Sequence, residues 1–336
     1  MEMSKNNMEI NKYNELTIAV IGCGSIGKRH TEVLEQMGVG RISACDPSED
    51  RLKTIKEICP RCETVRDYRD ALKEKPFAVY ILTPTKLHIP QALEALEAGC
   101  HVFLEKPLSN SSEGIGKLAE AEKRTGKTVA VGFCFRHHAA HLYAKKALKS
   151  GRIGRLVSIR SVGGENFPDV HPGYRDMYLS KYSGAFEMIV HETDLAFWYS
   201  EQEIEKVCGV YGPFSDHDFE SPDTIEMLLK FKNKCVASLH SDLFQRPRRV
   251  QMELLGTKGH ITIDYTSWNK AVVFVHEENG KTINTETKHF DTKRNDMFFA
   301  ESREFLDCAL ANLPVQCTIA EAGKSLLAIE QIYKPY

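Results

Sequence analysis

The stretch Leu16–Gly27, LTIAVIGCGSIG, constrains the fold of this chain more than any other. An apolar, β-branched run (Thr17, Ile18, Ala19, Val20, Ile21) stops at Gly22. Gly22-Cys23-Gly24-Ser25-Ile26-Gly27 then leads into the helix-like KRHTEVLEQM. This is a GxGxxG pattern in the setting that gives it meaning, with a strand before it and a helix after it. Gly22 allows the tight turn, Gly24 lets the backbone approach a pyrophosphate, and Gly27 lets helix and strand pack closely. The helix start, with Ser25 and Ile26 in its first turn, offers N–H groups and a positive dipole end to phosphate.

Asp46 closes the next apolar run, Arg41-Ile42-Ser43-Ala44-Cys45-Asp46. It falls about twenty residues after the glycines, where a dinucleotide fold places the carboxylate that binds the adenosine ribose. A carboxylate there accepts from both ribose hydroxyls and repels a 2′-phosphate, so NAD is favoured over NADP. Taken alone, Asp46 would read as a solvated turn residue before Pro47.

A chain of 336 residues should hold two domains. Its 42% apolar and 27% charged residues are ordinary for a soluble protein. A net charge of −2 gives no electrostatic case for nucleic acid or a membrane surface. There is no apolar run long enough for a membrane span. The polar start, MEMSKNNMEINKYNE, lacks the apolar core of a secretory signal and reads as a disordered lead-in over residues 1–14. The ten cysteines are scattered, and Cys23, Cys45, Cys100, Cys134 and Cys235 sit in or beside apolar runs. That suits reduced core thiols and a cytoplasmic setting. Cys59-Pro60-Arg61-Cys62 is a lone CxxC and reads as a helix-to-strand connection rather than a redox or zinc site.

Strands and helices alternate after Asp46. Helices are predicted over Ser48–Ile58, Asp67–Lys73, Leu87–Ala98 and Ser111–Arg124, and strands over Cys62–Val65, Phe77–Thr83, Cys100–Leu104 and Thr128–Phe133. Such alternation implies parallel βαβ units, a doubly wound sheet over residues 15–134. From about residue 150 the texture changes. Leu156–Val162 alternates, and a loop rich in Gly, Pro and Asp spans Gly163–Gly184. Three hairpins are then predicted, turning at Lys232-Asn233-Lys234, at Gly256-Thr257-Lys258-Gly259 and at Asn279-Gly280. Two helical stretches, Phe298–Ala311 and Ile319–Tyr333, end the chain. The fold class is therefore α/β. A Rossmann domain is followed by an α+β domain over residues 135–336 with a largely antiparallel open sheet, whose last helix could pack back on the first domain. Sites in open α/β sheets lie beyond the carboxyl ends of the strands. That directs attention to the glycine turn, Asp46, Thr83-Pro84-Thr85 and Glu105-Lys106-Pro107. A lysine following CHVFL would point its ammonium at the nicotinamide end of such a cofactor.

VIGCGSIGKRH, ILTPTKLHIPQALEALEAGCHVFLEKPLS, TVAVGFCFR, SGRIGRL and SGAFEMIVHETDLAFW together resemble the glucose-fructose oxidoreductase / inositol dehydrogenase / MocA (Gfo/Idh/MocA) family, from about Leu16 to the end. The resemblance implies hydride transfer with NAD(P) to or from a secondary alcohol of a sugar, cyclitol or sugar acid, and a homodimer or homotetramer formed through the C-terminal sheet. It matches Lys106 to the lysine that contacts nicotinamide and substrate, and His191 to the usual acid/base. Glu187 stands where the family has aspartate; at i and i+4 on a helix it would share a face with His191. Thr83, Pro84, Thr85 and His88 match the TPNxxH segment, with Thr85 in place of Asn, and Glu105 begins the EKP signature. Arg136 matches an arginine that could contact substrate or cofactor. His137 and His141 have a metal-compatible spacing but no third ligand, and no metal is expected. VHPGYRDMYLSKYSG resembles the loop of a subgroup near nonulosonic acid pathways, which would bring His171, Tyr174, Arg175 and Tyr178 to the substrate. An ordered inter-domain loop is the alternative. In the implied mechanism His191 takes the hydroxyl proton and Lys106 stabilises the oxygen. Two other functions stay open: a redox-neutral enzyme that keeps its NAD and passes through a keto-sugar, and a non-catalytic NAD-binding regulator.

Overall fold

The computed structural model describes residues 12–170, 185–217 and 221–333. The chain divides into two compact units. One comprises residues 1–134 and 295–323, the other residues 135–294 and 324–336.

The first unit is built on six short strands: β1 (Thr17–Ile21), β2 (Arg41–Cys45), β3 (Glu63–Val65), β4 (Ala78–Ile81), β5 (His101–Glu105) and β6 (Val129–Gly132). They pair in parallel in the order β3-β2-β1-β4-β5-β6. This is the doubly wound order, with its switch point between β1 and β4. β4 and β6 are buried at every position, as strands covered on both faces must be. Helices Ser25–Gln36, Glu49–Ile58, Tyr68–Lys73, His88–Glu97 and Ile115–Thr125 make the crossovers. Ser48 and Asp67 cap two of them through their side chains. The helix Asp296–Ala311 also belongs to this unit, and its Phe305 packs against Tyr80 and Phe103, both ring centroids 5.7 Å away. Tyr13, within the expected lead-in, is buried and donates its hydroxyl to Asp307 Oδ1 at 2.5 Å. An aromatic side chain with a hydrogen-bond partner outweighs the polar composition around it.

The second unit holds an eight-stranded sheet: β7 (Leu156–Gly164), β8 (Ile204–Gly212), β9 (Thr224–Phe231), β10 (Val236–Asp242), β11 (Arg249–Gly256), β12 (Gly259–Asp264), β13 (Lys270–Asn279) and β14 (Thr282–Asp291). Its order is β14-β13-β12-β11-β7-β10-β9-β8, antiparallel except where β10 meets β7. The three predicted hairpins are present. β8 was not predicted. It is an edge strand exposed at most positions, so its sequence lacks the alternation that marks a half-buried strand. The loop expected over Gly163–Gly184 instead begins with the end of β7 and a short helix, Phe167–Val170. The helix Ala185–Ser200 packs on β7, β9 and β10. Among the described residues no helix is long and apolar enough to cross a membrane.

Candidate dinucleotide and alcohol site

Four loops leave the carboxyl edge of the parallel sheet, after β1, β2, β4 and β5. Gly22 has φ of +95°, and a Cβ there would lie 2.6 Å from the carbonyl oxygen of Leu82. Only glycine fits that turn. A Cβ at Gly27 would run into the carbonyl oxygen of Gly22, so glycine is required where the helix crosses the strand end. Gly24, by contrast, faces open space, with nothing within 4 Å of where its Cβ would be. No side chain caps the helix at Gly24. Its first turn, from Ser25 through Ile26 to Gly27, presents backbone N–H groups to whatever anion approaches. The Cys23 thiol beside it is pushed up to about 12, by burial first and then by Asp46, so it adds no negative charge.

Asp46 is buried at the end of β2. Its Oδ2 accepts from the Cys23 N–H at 2.9 Å and its Oδ1 from the Ser48 N–H at 2.9 Å. The carboxylate is thus fixed against the glycine turn, with each oxygen retaining acceptor capacity. Arg51 Nη1 lies 3.4 Å from Oδ2. An open glycine, an uncapped helix and an anchored carboxylate form a cradle that fits a dinucleotide.

Thr83 follows β4 and donates its hydroxyl to Gln91 Oε1 at 2.6 Å. Thr85 begins a one-turn 3-10 helix, Thr85–Leu87, with Pro84 at its N-cap position. His88 is buried, with Nδ1 2.9 Å from the Pro107 carbonyl and Nε2 2.8 Å from that of Thr83. Burial draws this histidine below its ordinary range. Both ring nitrogens face backbone, so His88 acts as a strut that ties the Thr83 loop to the Glu105-Lys106-Pro107 loop. Lys106 follows β5 directly and is half-buried.

In the second unit Glu187 and His191 lie one turn apart on the helix Ala185–Ser200, both half-buried. The His191 ring is 4.8 Å from that of Phe135. Arg136, expected at the substrate, is 1% exposed and grips Asp194, with Nε to Oδ2 at 2.8 Å and Nη2 to Oδ1 at 2.6 Å. Asp194 lies on the helix that carries His191. His137 ends a 3-10 turn, and His141 lies in the separate helix Ala139–Lys149, with Nδ1 2.9 Å from the Tyr199 hydroxyl. The i, i+4 spacing therefore does not place these two on one helix face. His171, Tyr174, Arg175 and Tyr178 lie outside the described residues. Glu165 and Asn166 are buried just after β7, and Arg248 Nε is 3.0 Å from Glu165 Oε1.

Comparison with known proteins places this arrangement in a class. Residues 16–133 match the oxidoreductase family with an NAD-binding Rossmann fold, and residues 141–262 match the C-terminal domain of that family. The chain belongs to the Gfo/Idh/MocA oxidoreductase family. It is 25% identical over 323 residues to a myo-inositol 2-dehydrogenase of Thermotoga maritima, covering 94% of each chain. It is 31% identical over 196 residues to an inositol 2-dehydrogenase of Rubrobacter xylanophilus, a match spanning 57% of this chain and 54% of that one. In three dimensions it resembles a levoglucosan dehydrogenase solved with NADH and levoglucosan. The TM-score is 0.84 at 21% identity, covering 94% of this chain and 96% of the other, a likeness of fold.

Proposed function

We propose that this protein is an NAD-dependent oxidoreductase acting on a secondary alcohol of a sugar, cyclitol or sugar acid. The observation that carries the reading is the shared carboxyl edge, where Gly22–Gly27, Asp46, Thr83 and Lys106 follow β1, β2, β4 and β5. The glycine turn would hold the pyrophosphate and Asp46 the adenosine ribose, with the 2′-phosphate of NADP disfavoured by the carboxylate. The Thr83-Pro84-Thr85 and Glu105-Lys106 loops would flank the nicotinamide end. When bound, the dinucleotide supplies a hydride acceptor or donor. Lys106 hydrogen-bonds the substrate oxygen and stabilises negative charge developing there. His191 takes the hydroxyl proton, a task suited to an imidazole, and Glu187, one turn away, orients it. His171, Tyr174, Arg175 and Tyr178 are assigned to the substrate on resemblance alone. The inositol dehydrogenase relatives and the levoglucosan dehydrogenase support the substrate class.

We further infer a cytoplasmic homo-oligomer assembled through the eight-stranded sheet. Val210, Leu228 and Val236 share one exposed face of β8, β9 and β10. Light scattering on the purified protein checks this, and a monomer would overturn it.

The test of function mixes near-stoichiometric protein with NAD and a panel of hexoses, inositols, sialic acids and glycosides, following reduced-nicotinamide absorbance. Sustained growth with one compound supports the dehydrogenase and names its substrate class. A burst that stops at one equivalent replaces it with a redox-neutral cycle. Silence across the panel, with NAD bound, favours a regulator.

A further inference from the structure

His30, Glu105 and Glu301 meet inside the first unit without the hydrogen bonds that buried polar groups require. They come from three elements: the helix that follows the glycine turn, the last residue of β5, and the helix Asp296–Ala311. His30 Nε2 lies 3.9 Å from Glu105 Oε2 and 3.9 Å from Glu301 Oε1, with side chains 0%, 12% and 3% exposed respectively. Neither ring nitrogen of His30, neither oxygen of Glu301, nor Glu105 Oε2 has a hydrogen-bond partner among the described residues. The rings of Tyr80, Phe103 and Phe298 surround the imidazole, with centroids 5.1 to 5.5 Å away. Glu105 pairs across the sheet with Gly132, where a Cβ would lie 3.1 Å from Glu105 Oε2. A glycine there leaves room for the carboxylate to turn inward. The other titratable or charged groups around the cluster are Tyr80, His88, Cys134, Arg29, Lys106 and Glu304.

Two carboxyls and an imidazole in so apolar a setting cannot all carry independent charges. Burial, reinforced by Glu105 and Glu304, raises Glu301 well above the usual carboxylate range. His30 is equidistant from both acids, so a proton on Nε2 can serve either. Groups this close titrate as a set.

We propose that His30, Glu105 and Glu301 share protons as one buried cluster, and that this cluster positions Lys106 through its chain neighbour Glu105. The inference rests on the reading of Lys106 as the oxygen-binding lysine. With Glu105 Oε2 turned toward His30 Nε2 at 3.9 Å, a shared proton would fix the end of β5, and Lys106 would leave the strand from a defined point. His30 and Glu301 are thus positioning residues.

The test follows the imidazole signals of ring-labelled histidine by NMR in the whole, cofactor-free protein, with His30→Gln identifying His30. Glu105→Gln removes one member of the cluster and should displace the His30 signal's pH response if the three groups titrate as a set. Glu301→Gln should move it too, and supplies a second reading if the first variant folds poorly. In turnover, Glu301→Gln should cut kcat about tenfold and displace the pH profile, with KM for the dinucleotide unchanged. A His30 midpoint that ignores both acids overturns the shared cluster. A midpoint that moves while kcat and its pH profile stay put overturns the positioning. Full turnover in Lys106→Met, with His30 still responding to the acids, is the separate failure of the Lys106 reading.

Discussion

The two sheets present chemistry in different ways. In the parallel sheet the candidate groups sit on loops at one edge, and backbone does much of the recognition: an open Gly24, an uncapped helix, and Asp46 anchored by two N–H groups. In the eight-stranded sheet the candidates are side chains of one helix, Ala185–Ser200, laid across β7, β9 and β10. The first arrangement is set by the path of the chain and is readable from glycines and strand ends. The second depends on which face of a helix is turned where, and on partners far away in sequence. The same contrast should govern how each region responds to substitution.

The largest effect comes from breaking the chemistry on either side of this comparison. Lys106→Ala and His191→Ala should each lower kcat by roughly two to four orders of magnitude, the range expected for a positioned charge or acid/base. NAD binding, measured by fluorescence titration, should survive in both, because the cradle lies in other residues. Normal turnover in the His191 variant alone would confine the chemistry to the first unit.

Ion pairs sharpen the contrast. Arg41 and Glu63 bridge β2 and β3 with bidentate contacts of 2.9 and 2.7 Å, but both side chains are about half exposed. Arg136 and Asp194 have the same geometry and are buried. Arg136→Ala removes both of these contacts from a buried carboxylate and should cost about 3–5 kcal/mol in urea unfolding. Arg41→Ala should fall within the scatter of the measurement, since exposed pairs contribute little. Equal losses would mean that burial does not distinguish the two.

Much of the first unit was legible because its signals are local. β1, the glycine turn and Asp46 announce themselves within thirty-odd residues, and CHVFLEKPL marks β5 and its lysine. The partner of Arg136 was not legible from spacing. Asp194 is 58 residues away, and an arginine in a strand-to-helix segment gives no sign of whether it faces substrate or a buried acid. His30 and Glu301 were passed over for the same reason: each reads as an ordinary helix residue until the fold brings His30 within 3.9 Å of both Glu105 and Glu301. β8 escaped because an edge strand exposed at most positions has no periodicity to read.

A pH experiment tests both regions at once. His101 in the first unit and His137 in the second are each drawn down to about 4 from an ordinary 6.5, mainly by burial. Each binds a proton more readily when unfolded. Their contribution is therefore intact above about pH 6.5 and is lost as pH falls toward 4. The loss should be at most roughly 3 kcal/mol per site. Urea midpoints between about pH 7 and 4 should fall, and His101→Gln and His137→Gln should each flatten the decline. A flat profile in the unaltered protein would show that neither histidine is held neutral.

The smallest effect bears on the most legible residue. NAD should bind more tightly than NADP, and Asp46→Ala should narrow that gap. The carboxylate offers acceptors to two ribose hydroxyls, each hydrogen bond contributing on the order of 1 kcal/mol, so NAD affinity should fall about tenfold or somewhat more. NADP should lose less, because the same substitution removes a repulsion from its 2′-phosphate. Asp46 also holds the N–H groups of Cys23 and Ser48, and part of any loss will come from a loosened glycine turn that weakens both cofactors alike. Asp46→Asn separates the two contributions: its amide oxygen can keep the Cys23 contact while the charge is gone. If Asn restores NADP binding but not the preference for NAD, discrimination rests on charge. If Asn behaves like Ala toward both cofactors, Asp46 serves mainly to brace the turn. Equal affinities in the unaltered protein would remove the case for NAD altogether.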